Sequence, residues 1–461
     1  MKKLEELIYE ISPIFVQNMI MSVYGFYWAH LKYSRNFGHF LKWLEKTERL
    51  GRKELLELQT RELKRIINYA YYNVPYYRRI FRRHSLKPDD IKTIEDLKKI
   101  PILTKEDIRY SFKSLISQKY RRWQYGIKHT SGTTGTALNV VWSNEATMKE
   151  YAFVERIRRR AGVDSREPHA TFAGRIIVPL RQAKPPFWRY NRVEKQYYFS
   201  MHHLTKENLK YYTKKLRQIH PSYIEGYPSL IYVVAEYMLK YEDPIPVKAV
   251  FTSSETLLSY QRESIEKAFQ CKVFDRYGMT ELAASIGECE EGGYHIDAEY
   301  GIIEFLKDGE EVSEGEVGEM VCTNFINDAF PLIRYRTGDL ARPVEDACTC
   351  GRALPLVKEI IGRIDDILIT KRGAYLGRLD HIFKETHNIK ESQIIQENID
   401  KITVKVVPRE EFSEKDIGKL IEEFQKRLGN DMEIEIKLVD QIPRERSGKF
   451  KAVISKVPFR L

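Results

Sequence analysis

At 461 residues, 43% of them hydrophobic, the chain is too long for one ordinary core and long enough for two or three domains. Lys and Arg exceed Asp and Glu by 11 charges, which favours an anionic partner: a nucleotide, a nucleic acid or an acidic membrane face. The five cysteines are late and unevenly spaced and form no secreted-type framework, so a reducing cytoplasm is expected.

The start Met1-Lys2-Lys3 is followed by Glu5, Glu6 and Glu10 and lacks the pattern of an export signal. The stretch from Ile11 to Ala29 carries no Asp, Glu, Lys, Arg or His, yet Ser12, Pro13, Gln17, Asn18, Ser22 and Gly25 lower its hydrophobicity. A buried or interfacial segment is expected ahead of a transmembrane helix, which leaves peripheral membrane contact open beside a cytoplasmic location. From about residue 50 to 120 the apolar spacing of Leu55, Leu58, Leu63, Ile66 and Ile67 predicts helix, broken at Val74-Pro75. Thr104, with Asp107 three residues on, reads as a helix start. The Arg runs at 78–83 and 156–160 are expected to be solvated helix faces, and a nucleic-acid partner is not expected.

Val247 to Ser253, Ser259 to Phe269 and Cys271 to Asp275 read as strand, helix and strand, a βαβ unit of a parallel sheet. Ligands bind beyond the carboxyl ends of such strands, so Ser253-Ser254-Glu255 and Asp275-Arg276-Tyr277-Gly278 should face one crevice. Tyr300 to Thr323 reads as antiparallel hairpins. After Gly362-Arg363, strand Ile402 to Val407, helix Ile417 to Leu428 and strand Glu433 to Val439 make a compact α+β unit. The expected fold class is therefore α/β. A large domain over 1–364, with 1–50 as a helical extension, precedes a small domain over 365–461.

Several short motifs suit the binding of a nucleotide phosphate chain. Ser131-Gly132-Thr133-Thr134-Gly135 offers amides and hydroxyls to phosphate oxygens, although it lacks the Gly-Lys-Ser/Thr ending of a Walker loop and, taken alone, reads more readily as an ordinary loop. Tyr277-Gly278-Met279-Thr280-Glu281 offers a ring for a planar base, a hydroxyl for the α-phosphate and a hard oxygen ligand for Mg²⁺. Asp339, in a Thr-Gly-Asp turn after the strand-like Leu332 to Tyr335, suits a ribose diol or a turn cap. Lys449, after Ser447-Gly448, is a cation in a polar loop of the kind that enters and leaves a site.

Taken in this order, the motifs resemble those of the adenylate-forming superfamily. Val74-Pro75-Tyr76-Tyr77, Leu103-Thr104-Lys105, Glu225-Gly226-Tyr227-Pro228-Ser229 and Ser253-Ser254-Glu255 are similar to signatures of its phenylacetate-CoA ligase-like branch and of CapK-type proteins associated with capsular polysaccharide biosynthesis. The resemblance implies ATP-dependent formation of an acyl-adenylate from a small-molecule carboxylate, with Mg²⁺ and release of pyrophosphate, then acyl transfer to CoA. The alternatives are acyl or adenylyl transfer to a sugar or amine, and a non-catalytic nucleotide-binding assembly protein. It implies catalytic roles for Lys449, Thr280 and Glu281. ATP or AMP contacts fall on Ser131 to Gly135, Ser253, Ser254, Glu255, Tyr277, Gly278, Asp339 and Arg363, an acyl-pocket position on Tyr227, and a hinge on Asp365 or Asp366. Many members carry Lys after the phosphate-loop glycine, where this chain has Thr136.

Cys289, His295, Cys348 and Cys350 add three thiolates and an imidazole, a set that suits tetrahedral Zn²⁺ or, equally, reduced loop thiols beside a polar sheet histidine. Similar cysteine pairs in some members of the branch favour zinc.

Overall fold

In a computed structural model of the chain, the structure describes residues 8–130, 138–363, 368–369, 375–376, 388–428, 432–444 and 450–457. The phosphate-loop residues Ser131 to Gly135, Thr136, the hinge pair Asp365 and Asp366, the domain boundary and Lys449 lie outside the described residues.

Helices α1 (Ile14–Lys32), α2 (Phe37–Thr47), α3 (Arg52–Asn73), α4 (Pro75–Arg83) and α5 (Lys105–Leu115) open the chain. Pro75 has no amide to continue α3 and instead starts α4 at its first position. Thr104 caps α5: Asp107 donates its amide to Thr104 Oγ1 at 3.1 Å, and Thr104 returns its own to Asp107 Oδ2 at 2.9 Å. A two-stranded ladder of β1 (Tyr125–His129) and β2 (Asn139–Ser143) leads to α6 (Asn144–Arg160).

Next come β3 (His169–Ala173), β4 (Trp188–Asn191), β5 (Gln196–Ser200), α7 (Leu209–Ile219), β6 (Tyr223–Gly226), α8 (Pro228–Tyr241), β7 (Ala249–Ser253), α9 (Ser259–Phe269) and β8 (Lys272–Gly278). The antiparallel part follows as β9 (Ser285–Glu288), β10 (Tyr294–Ile296), β11 (Gly301–Lys307), β12 (Glu310–Glu311), β13 (Gly318–Asn324), β14 (Tyr335–Val344) and β15 (Leu356–Arg363). Thirteen of these strands form one sheet in the order β12-β11-β13-β14-β15-β10-β9-β8-β7-β6-β3-β5-β4. Strands β5, β3, β6, β7 and β8 run parallel, and β8 turns antiparallel to β9.

The expected βαβ unit is β7-α9-β8, but β8 continues to Gly278, because Tyr277 and Gly278 pair with Ile286 and Ser285 of β9. The Thr-Gly-Asp segment also differs from expectation. It lies inside β14, not in a turn after a strand: Arg336 pairs with Val321 and Leu340 with Glu319, so Thr337, Gly338 and Asp339 bulge opposite Met320 alone. Thr337 holds the bulge by donating its hydroxyl to Met320 O at 2.8 Å.

One apolar core lies under α3–α5 and the antiparallel strands, and a second packs α7, α8 and α9 on the parallel strands. The Arg run of α6 is not a solvated face. Arg156 is buried against Asp297 and Glu299 at 2.6 and 2.7 Å, Arg158 meets Glu225 at 2.6 Å, and Arg160 meets Glu48 at 2.9 Å. These arginines tie α6 to the rest of the large unit, since a buried charge must be paired.

A separate four-stranded sheet of β16 (Ile389–Asn398), β17 (Lys401–Pro408), β18 (Glu433–Leu438) and β19 (Val453–Ser455), in the order β18-β17-β16-β19, carries α10 (Glu414–Leu428) over its own small core. It meets the large unit along α8: Tyr232 donates to Lys390 O at 3.2 Å, Arg409 pairs with Glu236, and Lys240 meets Glu410 at 3.2 Å.

Candidate active site

Glu281 follows β8, and Asp339 sits in the β14 bulge. Each carboxylate is held by a tyrosine from the other segment: Tyr277 of β8 donates its hydroxyl to Asp339 Oδ2 at 2.7 Å, and Tyr335 of β14 donates to Glu281 Oε1 at 3.1 Å. Both phenols are pushed well above their ordinary range, first by burial and then by the neighbouring carboxylate, so they remain donors. This crossed pair fixes the spacing of two carboxylates that come from segments far apart in sequence.

The backbone around Glu281 is pinned from both sides. Trp142 Nε1 donates to Thr280 O at 2.6 Å, and Asn324 Nδ2 donates to Leu282 O at 2.9 Å, holding Leu282 at a φ of 56°. Such a φ in a residue other than glycine persists only where the surroundings over-determine it. Burial raises the Glu281 carboxyl, while the charge of Lys105 and the Tyr335 hydrogen bond pull it back down.

Lys105 was given no site role by the motifs. Leu103 runs beside β14, accepting from Arg336 N at 2.9 Å and donating to Arg334 O at 2.9 Å. That pairing sets the next-but-one residue against the bulge: a Cβ built on Gly338 would lie 3.3 Å from Lys105 Nζ. The available signal was a lysine in the first turn of α5, where a cation opposes the helix dipole and needs a compensating anion.

Ser253 ends β7, and Ser254 turns the chain with a φ of 72°. Glu255, expected among the nucleotide contacts, has both oxygens on protein amides. Oε2 accepts from Ser229 N at the start of α8 at 3.2 Å, and Oε1 accepts from Phe450 N at 2.5 Å. The residue that follows Lys449 in sequence is thus fastened to the carboxyl end of the parallel sheet. Tyr227 caps the same helix and donates its amide to Phe172 O at 2.9 Å. The backbone of Arg363 pairs with that of Asp339.

The Cys/His set also comes together. Cys289, His295, Cys348 and Cys350 place four ligand atoms within 4.8 Å of one another, with Cys289 Sγ 3.6 Å from Cys348 Sγ and Cys350 Sγ 3.2 Å from His295 Nε2. Bonds of about 2.3 Å to a tetrahedral Zn²⁺ would put sulfurs roughly 3.8 Å apart. His295 Nδ1 faces Leu354 O at 3.3 Å, which suits a tautomer whose Nε2 lone pair is free for a metal. Gly293 leaves the space required, since a Cβ there would lie 2.9 Å from Cys348 Sγ. The donor set fits zinc.

Residues 368–456 match the family described as the CapK C-terminal domain. The chain is 30% identical to protein CapK of Staphylococcus aureus over 98% of its own length and 99% of the relative's. It is 27% identical to the phenylacetate-coenzyme A ligase of Thermus thermophilus over 70% of this chain and 74% of that one. Among solved structures, 2-hydroxyisobutyryl-CoA ligase in the postadenylation state in complex with 2-HIB-AMP superposes with a TM-score of 0.70 at 19% identity, over 88% of this chain and 90% of that one.

Proposed function

Because the chain belongs to the CapK family, in the phenylacetate-CoA ligase-like branch of the adenylate-forming superfamily, and has that superfamily's fold, we propose that it activates a carboxylic acid with ATP and passes the acyl group to CoA. The observation that carries this reading is the crossed pair Tyr277–Asp339 and Tyr335–Glu281 at the carboxyl end of the parallel strands. An oxygen of the carboxylate attacks the α-phosphorus, the bond to the β-phosphate breaks, and pyrophosphate leaves.

In this reading Glu281 holds Mg²⁺, which would neutralise charge on the departing pyrophosphate. Thr280 and Lys449 donate to the α-phosphate, Ser131 to Gly135 hold the other phosphates, and Asp339, with Arg363, takes the ribose. Tyr277 offers its ring to the base while its hydroxyl orients Asp339. Lys105 supplies a cation on the Glu281 side, in a chain that has Thr136 where many members carry Lys. Glu255 positions the small domain through Phe450, not the nucleotide, and Asp365 or Asp366 is the hinge between units 1–364 and 365–461. Tyr227 borders the acyl group. Zn²⁺ at Cys289, His295, Cys348 and Cys350 is structural, tying the β9–β10 turn to the segment before β15.

The alternative acceptor is a sugar hydroxyl or amine, which the likeness to CapK-type proteins raises beside the thiol of CoA. The two separate in one assay. With a turnover-competent acid, AMP formation accompanied by equal loss of free CoA thiol supports the ligase, whereas AMP formation without thiol loss overturns it in favour of the other acceptor.

A further inference from the structure

Helix α1 is built inside out. Its inward face carries Gln17, Met21 and Gly25, and two of its polar side chains are spent on β4: Arg189 donates to Gln17 Oε1 at 2.5 Å, and Tyr190 N donates to Asn18 Oδ1 at 2.9 Å. The approach is close, since a Cβ on Gly25 would lie 2.3 Å from Asn191 Oδ1. The outward face carries Phe15, Met19, Val23 and Phe26, exposed by 73, 59, 65 and 68%, with Ile20, Tyr24 and Tyr27 beside them. A helix that only had to dissolve would present the opposite pattern.

The apolar face extends onto the neighbouring loop and hairpin. Tyr9 donates to Ile177 O at 2.6 Å and Arg181 to Glu10 O at 3.3 Å, fixing the loop that exposes Ile176 and Leu180. Arg192, at the β4–β5 turn beside exposed Val193, donates its amide to Ser22 Oγ at 3.1 Å. Arg175, Arg181 and Arg192 are exposed around this surface, and Arg175 lies over the Tyr24 ring at 5.8 Å. No described helix is long and apolar enough to cross a membrane.

We propose that this face docks the protein on an anionic lipid bilayer, with α1 lying in the headgroup plane and Arg175, Arg181 and Arg192 meeting lipid phosphates. The charge ring decides for lipid over a second copy of the chain: apolar side chains with aromatics at one end enter the acyl boundary while cations stay at the surface, and a like-charged copy would repel. The inference is independent of the reaction at the crevice.

The test is flotation of the full-length protein with vesicles of phosphatidylcholine alone or with one-fifth phosphatidylglycerol. The wild type should float with the anionic vesicles and be released by high salt. The variant F15Q/M19Q/V23Q/F26Q, which leaves the inward face intact, should bind them at least about tenfold less while melting with the wild type. A separate R175Q/R181Q/R192Q variant, which changes no residue of α1, should lose the preference for anionic over neutral vesicles while melting with the wild type. Absence of flotation, equal binding of both Arg states, or a lipid-free dimer that the helix variant dissolves would overturn the proposal.

Discussion

Replacing Tyr335 by Phe should shift the pH dependence of adenylation while leaving the backbone unchanged. Its hydroxyl donates to Glu281 Oε1 at 3.1 Å, and a hydrogen bond to a charged group is worth about 1.5–3 kcal/mol. At this length the lower end applies, and about 1.4 kcal/mol corresponds to one pKa unit. The lost bond favoured the ionised carboxylate, so the Glu281 carboxyl, already raised by burial, should rise by about one further unit. The ionised form is the one that binds a metal. The acid limb of ATP–pyrophosphate exchange, followed at limiting Mg²⁺ from about pH 5 to 9, should therefore move to higher pH by about one unit. Stability follows the same sign: a carboxyl raised on folding contributes fully below its unfolded pKa, and that contribution is lost as pH rises through the folded value. Ligand-free Tyr335→Phe should lose it at higher pH than the wild type. A limb that stays in place, or moves to lower pH, would refute the role given to Tyr335.

Protein purified without added metal should carry about one equivalent of zinc, lost in Cys348→Ser together with a fall in melting temperature; under a tenth of an equivalent would count against the site. Gly226→Ala should lower the urea midpoint by an amount equivalent to roughly 3 kcal/mol or more, because a Cβ there would lie 2.0 Å from Phe172 O at a φ of 153°. Lys105→Met should raise the KM for ATP about tenfold, the effect of losing about 1.4 kcal/mol of charge interaction with the nucleotide phosphates. An unchanged KM would remove Lys105 from the site.

The sequence was most readable where local chemistry and fold agree. The β7-α9-β8 unit follows from short apolar runs about an amphipathic helix, and the cap at Thr104 from a hydroxyl and an acid at the right spacing. Glu281 and Asp339 could be singled out as acids beside turn residues, but the Tyr335 and Tyr277 hydroxyls that hold them come from pairings across the sheet that no local pattern encodes. The bulge at Thr337 to Asp339 depends on the register with β13, which is a tertiary property. The Arg run of α6 misled because helical spacing alone does not tell a solvated arginine from one that faces Asp297 and Glu299. No described helix is long and apolar enough to cross a membrane, and in the uncharged stretch after Ile11 the polar residues give no local sign that they turn inward.

Formation of an acyl-adenylate beside Glu281 and Asp339 is the step to which the site residues are assigned. It is tested most directly by acid-dependent exchange of labelled pyrophosphate into ATP across a panel of aryl, fatty, amino and sugar acids. Exchange should occur with one acid class, need Mg²⁺ and be abolished in both Lys449→Ala and Glu281→Gln. Exchange that persists in both variants, or that is absent with every acid while ATP still binds, would contradict it.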